Sequence, residues 1–209
     1  MTTRVKIWYE KLANREPFPE LGAMQASSDL KPGGADPFNN NFHAGLGEFQ
    51  ADDLRQPLLL KKDTGPNGGC LKVTNLASGG QFALAAVTTR FNASEHPVMR
   101  FRYKIPANVR VNVYVKARGL WNVIRLTGSA EVTAEQRVLG AIEGAAADNA
   151  WHEARFNLGP ELTKTFGSDV EVERVVFGMM EPEPYLYTGL TGINLFGASW
   201  WLDDFQLGR

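Results

Sequence analysis

The sequence predicts an all-β fold: an antiparallel β-sandwich with at most one or two short helices. Three observations carry this expectation. Short segments alternate apolar and polar residues with period two, the pattern of strands buried on one face. Turn formers punctuate them, with 21 Gly and 11 Pro among 209 residues. The hydrophobic share of 44% is enough for a packed core.

The elements follow in order. Val5, Ile7 and Tyr9 alternate with Arg4, Lys6 and Trp8 as a short strand. Pro17 and Pro19 end any helical turn after it. Residues 27–37 are rich in Ser, Gly, Pro and Asp and read as a linker. This divides the chain into an N-terminal arm or linker, 1–35, and a sandwich, 36–209. A Gly-rich turn over 64–69 leads into a strand over Cys70–Asn75, and Gln81–Thr88 forms the next.

Met99, Phe101, Tyr103 and Ile105 alternate with Arg100, Arg102 and Lys104. Val109, Val111, Val113 and Val115 alternate with Arg110, Asn112, Tyr114 and Lys116. With Pro106-Ala107-Asn108 as the turn, these read as two neighbouring strands with one apolar and one basic face. Further strands are expected at Trp121–Thr127, Arg137–Ile142, Trp151–Asn157, Val172–Met179 and Ser199–Leu207. Gly159–Phe166 is the one expected short helix, with Pro160 near its start where proline is tolerated.

Composition excludes several classes. Twenty-two basic residues face twenty-three acidic ones, so the footprint of a nucleic-acid binder is missing. Arg100, Arg102, Lys104, Arg110 and Lys116 then read as a solvated face. Nothing recommends an anionic membrane as partner, and no apolar run is long enough to span one. A single cysteine, Cys70, rules out an internal disulfide and a Cys-rich zinc site. The first residues lack the apolar core of a signal peptide, which fits either a cytoplasmic protein or a piece of a larger exported chain.

Catalytic patterns are missing too. His43, His96 and His152 are scattered, without metal-ligand spacing. Glu181 and Glu183, separated by Pro182, read as an exposed loop rather than an acid/base pair. The expectation is a protein that is not an enzyme.

Aromatic rings that stack on sugar faces, beside polar groups that reach hydroxyls, are the residue types of a glycan site. Here they are Tyr114, Trp121, Tyr185, Tyr187 and Trp200, with Arg100, Arg102, Lys116 and Arg125. Trp200 and Trp201 point to opposite faces, so one of them is buried. Asp203 falls in phase with Phe205 and Leu207 and should point inward, where a carboxylate needs a partner.

Four segments add a resemblance. Residues 120–128, Leu-Trp-Asn-Val-Ile-Arg-Leu-Thr-Gly, resemble a Gly-Lys-Trp-Tyr-Glu-Ile-Pro-Leu-Thr-Gly strand of bacterial extracellular modules. Residues 148–158 resemble their Gly-Lys-Trp-His-Glu-Val-Arg-Phe-Asp-Leu strand, and 197–207 their closing Gly-Ala-x-Tyr-Tyr-Ile-Asp-Asp-Phe-x-Leu. Residues 38–49, with Gly45-Leu46-Gly47, resemble their opening Phe-x-x-Gly-Leu-Gly-x-Trp.

Over 36–209 the chain thus resembles galactose-binding-like jelly-roll modules of the carbohydrate-binding kind. The resemblance implies a non-catalytic carbohydrate-binding or surface-binding module within a larger extracellular or cell-surface protein. It also implies a structural calcium held by Asp203, for which the opening segment offers Asp36, Asn39, Glu48 or nearby carbonyls; the alternative is a carboxylate bonded to backbone amides at a sheet corner. The partners implied are a glycan and the neighbouring domains of the larger chain. The alternative is a structural or protein-interaction sandwich with no sugar ligand, because fold does not fix function.

Overall fold

A computed structural model describes residues 36–52, 57–76, 80–128, 136–180 and 193–209. The N-terminal arm, Glu181, Glu183, Tyr185 and Tyr187 lie outside the described residues. In chain order come β1 (Asn39–Asn40), β2 (Gln50–Ala51), β3 (Leu58–Gly65), β4 (Gly68–Asn75), β5 (Phe82–Val87), β6 (Phe91–Asn92) and β7 (Val98–Lys104). There follow β8 (Asn112–Ala117), β9 (Leu120–Arg125), β10 (Gln136–Ala141), β11 (Trp151–Phe156), α1 (Leu158–Phe166), β12 (Glu171–Met179) and β13 (Ser199–Gly208).

The strands form two sheets. The first has the order β11-β7-β13-β4-β3, with β1 also on β13. The second has the order β10-β9-β8-β12-β5-β2, with β6 also on β12. The expected all-β sandwich is therefore what forms. One strand pair departs from the antiparallel expectation: β9 and β10 run parallel. Alternation could not reveal this, because its period is two in either direction.

Alternation sends one face of each sheet into a shared core. The first sheet contributes Leu71, Val73, Met99, Phe101, Leu202 and Phe205; the second contributes Phe82, Leu84, Val113, Val115, Val175 and Phe177. Phe177 meets Phe101 edge to face at 5.0 Å and Phe205 at 6.0 Å, so it joins the two sheets. Leu158 and Leu162 of α1 are buried against the same core.

The segments around Pro106 correct a sequence expectation. Met99–Ile105 and Val109–Val115 are not neighbouring strands: β7 lies in the first sheet and β8 in the second. After Ile105 the chain crosses between the sheets, with Val109 and Val111 buried on the way, and β8 begins only at Asn112. The two apolar faces meet across the core instead of lying side by side, and an alternating pattern is the same for both arrangements. Strand β3 was not anticipated, because Leu58-Leu59-Leu60 is an apolar run without alternation.

A bulge corrects the phase of β13. Its pairing with β7 shifts between Asp203 and Gln206, and Asp204 adopts φ +47°. Trp200 and Leu202 point inward before the bulge, Phe205 and Leu207 after it. Asp203 consequently turns to the outer side of the first sheet, opposite Arg102. It is buried there all the same, because the β3–β4 hairpin closes over it. A Cβ on Gly65 would lie 3.0 Å from Asp203 Oδ2 and 2.8 Å from Cys70 Cβ, so that approach requires glycine.

Candidate ligand-binding faces

Each sheet leaves one face turned from the core, and the two differ. On the second sheet, Tyr114 pairs with Val123 and Lys116 with Trp121 across β8 and β9. Ala83, Tyr114, Val123 and Val176 form an apolar cluster separate from the core, and Trp121 and Met180 pack on it. Tyr114 is fully buried, and its hydroxyl oxygen accepts the Met180 N–H at 3.1 Å. Val138, 43% exposed, stands opposite Val123 on the edge strand. The Lys116 ammonium lies 5.8 Å from the centre of the Trp121 ring and 3.8 Å from Glu173. Arg125 is half-buried two residues after Val123 on β9. Farther across the sheet, Arg174 pairs with Asp52 at 2.6 Å.

The outer face of the first sheet is polar. Register places Lys61, Lys72, Trp201, Lys104 and Trp151 in one row across β3, β4, β13, β7 and β11. Lys72 and Lys104 hold their ammonium groups 5.3 and 4.9 Å from the Trp201 ring centre. The indole N–H donates to Asp63 at 2.8 Å. That bond, with the Thr64 N–H, holds the Asp63 carboxyl below its usual range. Nearby, Arg100, Arg102, Glu153, Arg155, Asp204 and Gln206 line a shallow groove of about 450 Å³. Arg102 bonds Glu153 and lies 3.8 Å from Asp204.

The sequence-expected residues fall out as follows. Tyr114, Trp121, Lys116 and Arg125 share the second sheet's outer face. Arg100 and Arg102 do not join them; they belong to the other sheet, as the chain's crossing after Ile105 requires. Trp200 is core, packed near Phe82 and Phe177, so it is no stacking platform; Trp201 is the open one of the pair. Trp151, which as a strand opener reads as core, and Arg155 were not among the expected binding residues, yet both lie on the outer face of the first sheet. Their signal was the alternation of 151–156, which sets Trp151, Glu153 and Arg155 on one face.

Of the four residues expected around calcium, the three carboxylates form no metal-suited cluster among the described residues. Asp36 accepts the Phe38 N–H at 2.9 Å in an exposed turn, and Asn39 is exposed on β1. Burial opposes the charge of Glu48, but N–H and hydroxyl donors of Thr88 and Thr89 outweigh it and hold its carboxyl below its usual range. At Asp203, Oδ1 accepts the Asp204 N–H, while buried Oδ2 has no hydrogen-bond partner. Burial raises its pKa, and the Asp204 charge adds to the rise.

No cluster of three His, Cys, Asp or Glu side chains suited to a metal occurs among the described residues. His152 bonds Asp148 at 2.8 Å, and His96 contacts the Leu207 carbonyl at 3.2 Å, so each is engaged structurally. Burial pushes the Cys70 thiol up to about 11, well away from a nucleophilic thiolate. No helix among the described residues is long and apolar enough to cross a membrane.

No protein-family model matches the chain, and no curated protein matches it in sequence. Among solved structures it is similar to a family 11 carbohydrate-binding module from Clostridium thermocellum in complex with a β-1,3-1,4-mixed-linked tetrasaccharide. That likeness has a TM-score of 0.44 and 8% identity, over 81% of this chain and 94% of that one. A mannan-recognising carbohydrate-binding module, TmCBM27, is similar with a TM-score of 0.35 and 13% identity, over 77% of this chain and 88% of that one. An exo-β-agarase is similar with a TM-score of 0.39 and 9% identity, over 81% of this chain and 24% of that one.

Proposed function

We propose that this sandwich is a non-catalytic carbohydrate-binding module, with the outer face of its second sheet as the sugar-binding surface. The observation that carries the proposal is the apolar cluster around Tyr114 and Val123, which lies outside the core and supports a partly open Trp121. An indole on an apolar floor offers a sugar ring a flat C–H-binding surface, and Lys116 and Arg125 stand beside it for hydroxyls. The module belongs to a larger exported chain in this reading, tethering neighbouring domains to a polysaccharide.

Titration with soluble mixed-linkage β-glucan and mannan tests it. Binding by the parent, lost in Trp121→Ala with an unchanged fold, supports the proposal. Binding that Trp121→Ala leaves intact sinks the assignment of the face.

One observation favours a second reading. Tyr114 and Trp200 are fully buried, as a protein-interaction or structural sandwich would have them. Failure of a broad glycan array to show any ligand would leave that reading standing.

A further inference from the structure

We infer that the outer face of the first sheet is a second, independent binding surface, for a linear polysaccharide that carries carboxylates. The inference does not rest on the sugar site of the second sheet. It starts from a local contradiction. Register sets Arg155 directly opposite Arg100 on antiparallel strands, both exposed. Like charges in that position destabilise a sheet. Neither guanidinium has an ion-pair partner among the described residues, whereas the neighbouring cross-strand pair, Arg102 and Glu153, is an ion pair. An anion seated between Arg100 and Arg155 would resolve the repulsion, and guanidinium groups bind carboxylates as a fork.

Charge is also segregated. This face carries Lys61, Lys72, Lys104, Arg100, Arg102 and Arg155 against Asp63, Glu153, Asp204 and the buried Asp203, while the whole chain has a formal charge of −1. The Trp201 ring fixes two of the lysines in place. The row through Trp201 and the groove at Arg100 together extend along and across the sheet, the footprint of a chain-like ligand.

The interleaved acids choose between polyanions. Glu153 and Asp204 line the same groove as the arginines. They can accept from sugar hydroxyls, which a uronate polymer supplies between its carboxylates. Nucleic acid offers a dense phosphate array, about one negative charge per 1.7 Å of duplex, and would set phosphates against them.

The test is affinity of the full chain for polygalacturonate and alginate, with neutral mixed-linkage glucan and single-stranded DNA as comparisons. Arg100→Gln with Arg155→Gln should weaken polyuronate binding by about tenfold or more, with the circular dichroism spectrum unchanged. Lys72→Gln with Lys104→Gln should weaken it too, and added salt should weaken the parent's binding. Neutral glucan binding should be indifferent to both double variants, just as polyuronate binding should be indifferent to Trp121→Ala. Polyuronates not bound, bound equally by the arginine variant, or bound no better than single-stranded DNA would each overturn the inference. Loss of neutral glucan binding alone bears only on the other face.

Discussion

The two outer faces invert each other. On the second sheet, Tyr114, Val123 and Val176 are as buried as the core although they point away from it. On the first, Trp151 and Trp201 remain half-open, and their row neighbours are charged. Both faces alternate out of the core by the same geometry, so direction alone does not decide burial. The second face spends aromatic area on packing, which stabilises the fold. The first leaves its aromatic area and cations to solvent, where such groups contribute little to stability. Substitutions should separate the two.

Tyr114→Ala should have the largest effect. Emptying that buried site should cost about 3–5 kcal/mol, as for other large aromatic truncations, and unfold a marginal domain. A melting temperature unchanged from the parent would show that the face is not packed.

Asp203→Asn comes next and acts in the opposite direction. Its folded pKa is raised by burial, so the folded state favours the protonated acid. The stability tied to that acid form is present below the ordinary carboxyl range and is lost as pH rises through the folded pKa. Removing the charge should therefore stabilise at neutral pH, by about 1–2 kcal/mol, and the gain should vanish in acid. Melting curves across pH for parent and variant check this. A calcium ion at Asp203 makes the reverse outcome the expected one: Asp203→Asn and chelator would each lower the parent's melting temperature.

Trp201→Ala should matter less, at about 1 kcal/mol or below, since it removes a half-open ring and its contacts to Lys72 and Lys104. A loss as large as for Tyr114→Ala would erase the contrast between the faces. Smallest of all, Arg100→Gln with Arg155→Gln should raise stability by a few tenths of a kcal/mol, from relieved repulsion. Destabilisation would point to a bonded role for those arginines in the free protein.

Much of the sandwich was legible because period two marks which residues face a core, whatever lies beyond. Strand β12, β11 and the helix after it fell where alternation and Pro160 placed them. Partner choice was not legible. Ile105 to Val111 reads equally as a hairpin or as a crossing between sheets, and only packing decides. The candidate site suffered more. Phase carried back from Leu207 set Asp203 inward, but one extra residue at the bulge reversed every position before it. Tyr114 and Trp121 were both glycan-site candidates, yet their difference in burial depends on long-range neighbours that local pattern does not name. The opposition of Arg100 and Arg155 required the pairing of β7 with β11, a fact of register across some fifty residues.

The position of β13 bears on how the domain is made. It lies between β7 and β4 in the first sheet, with β1 also paired to it. Until residues 199–208 leave the ribosome, the described strands of that sheet have nothing to join two separate pairs, β7 with β11 and β3 with β4. Each would present a bare edge capable of pairing with another chain. Closure then depends on contacts far apart in sequence, which makes folding slow. Synthesis of this domain therefore passes through an interval in which aggregation competes with folding, and it ends only when the final strand inserts.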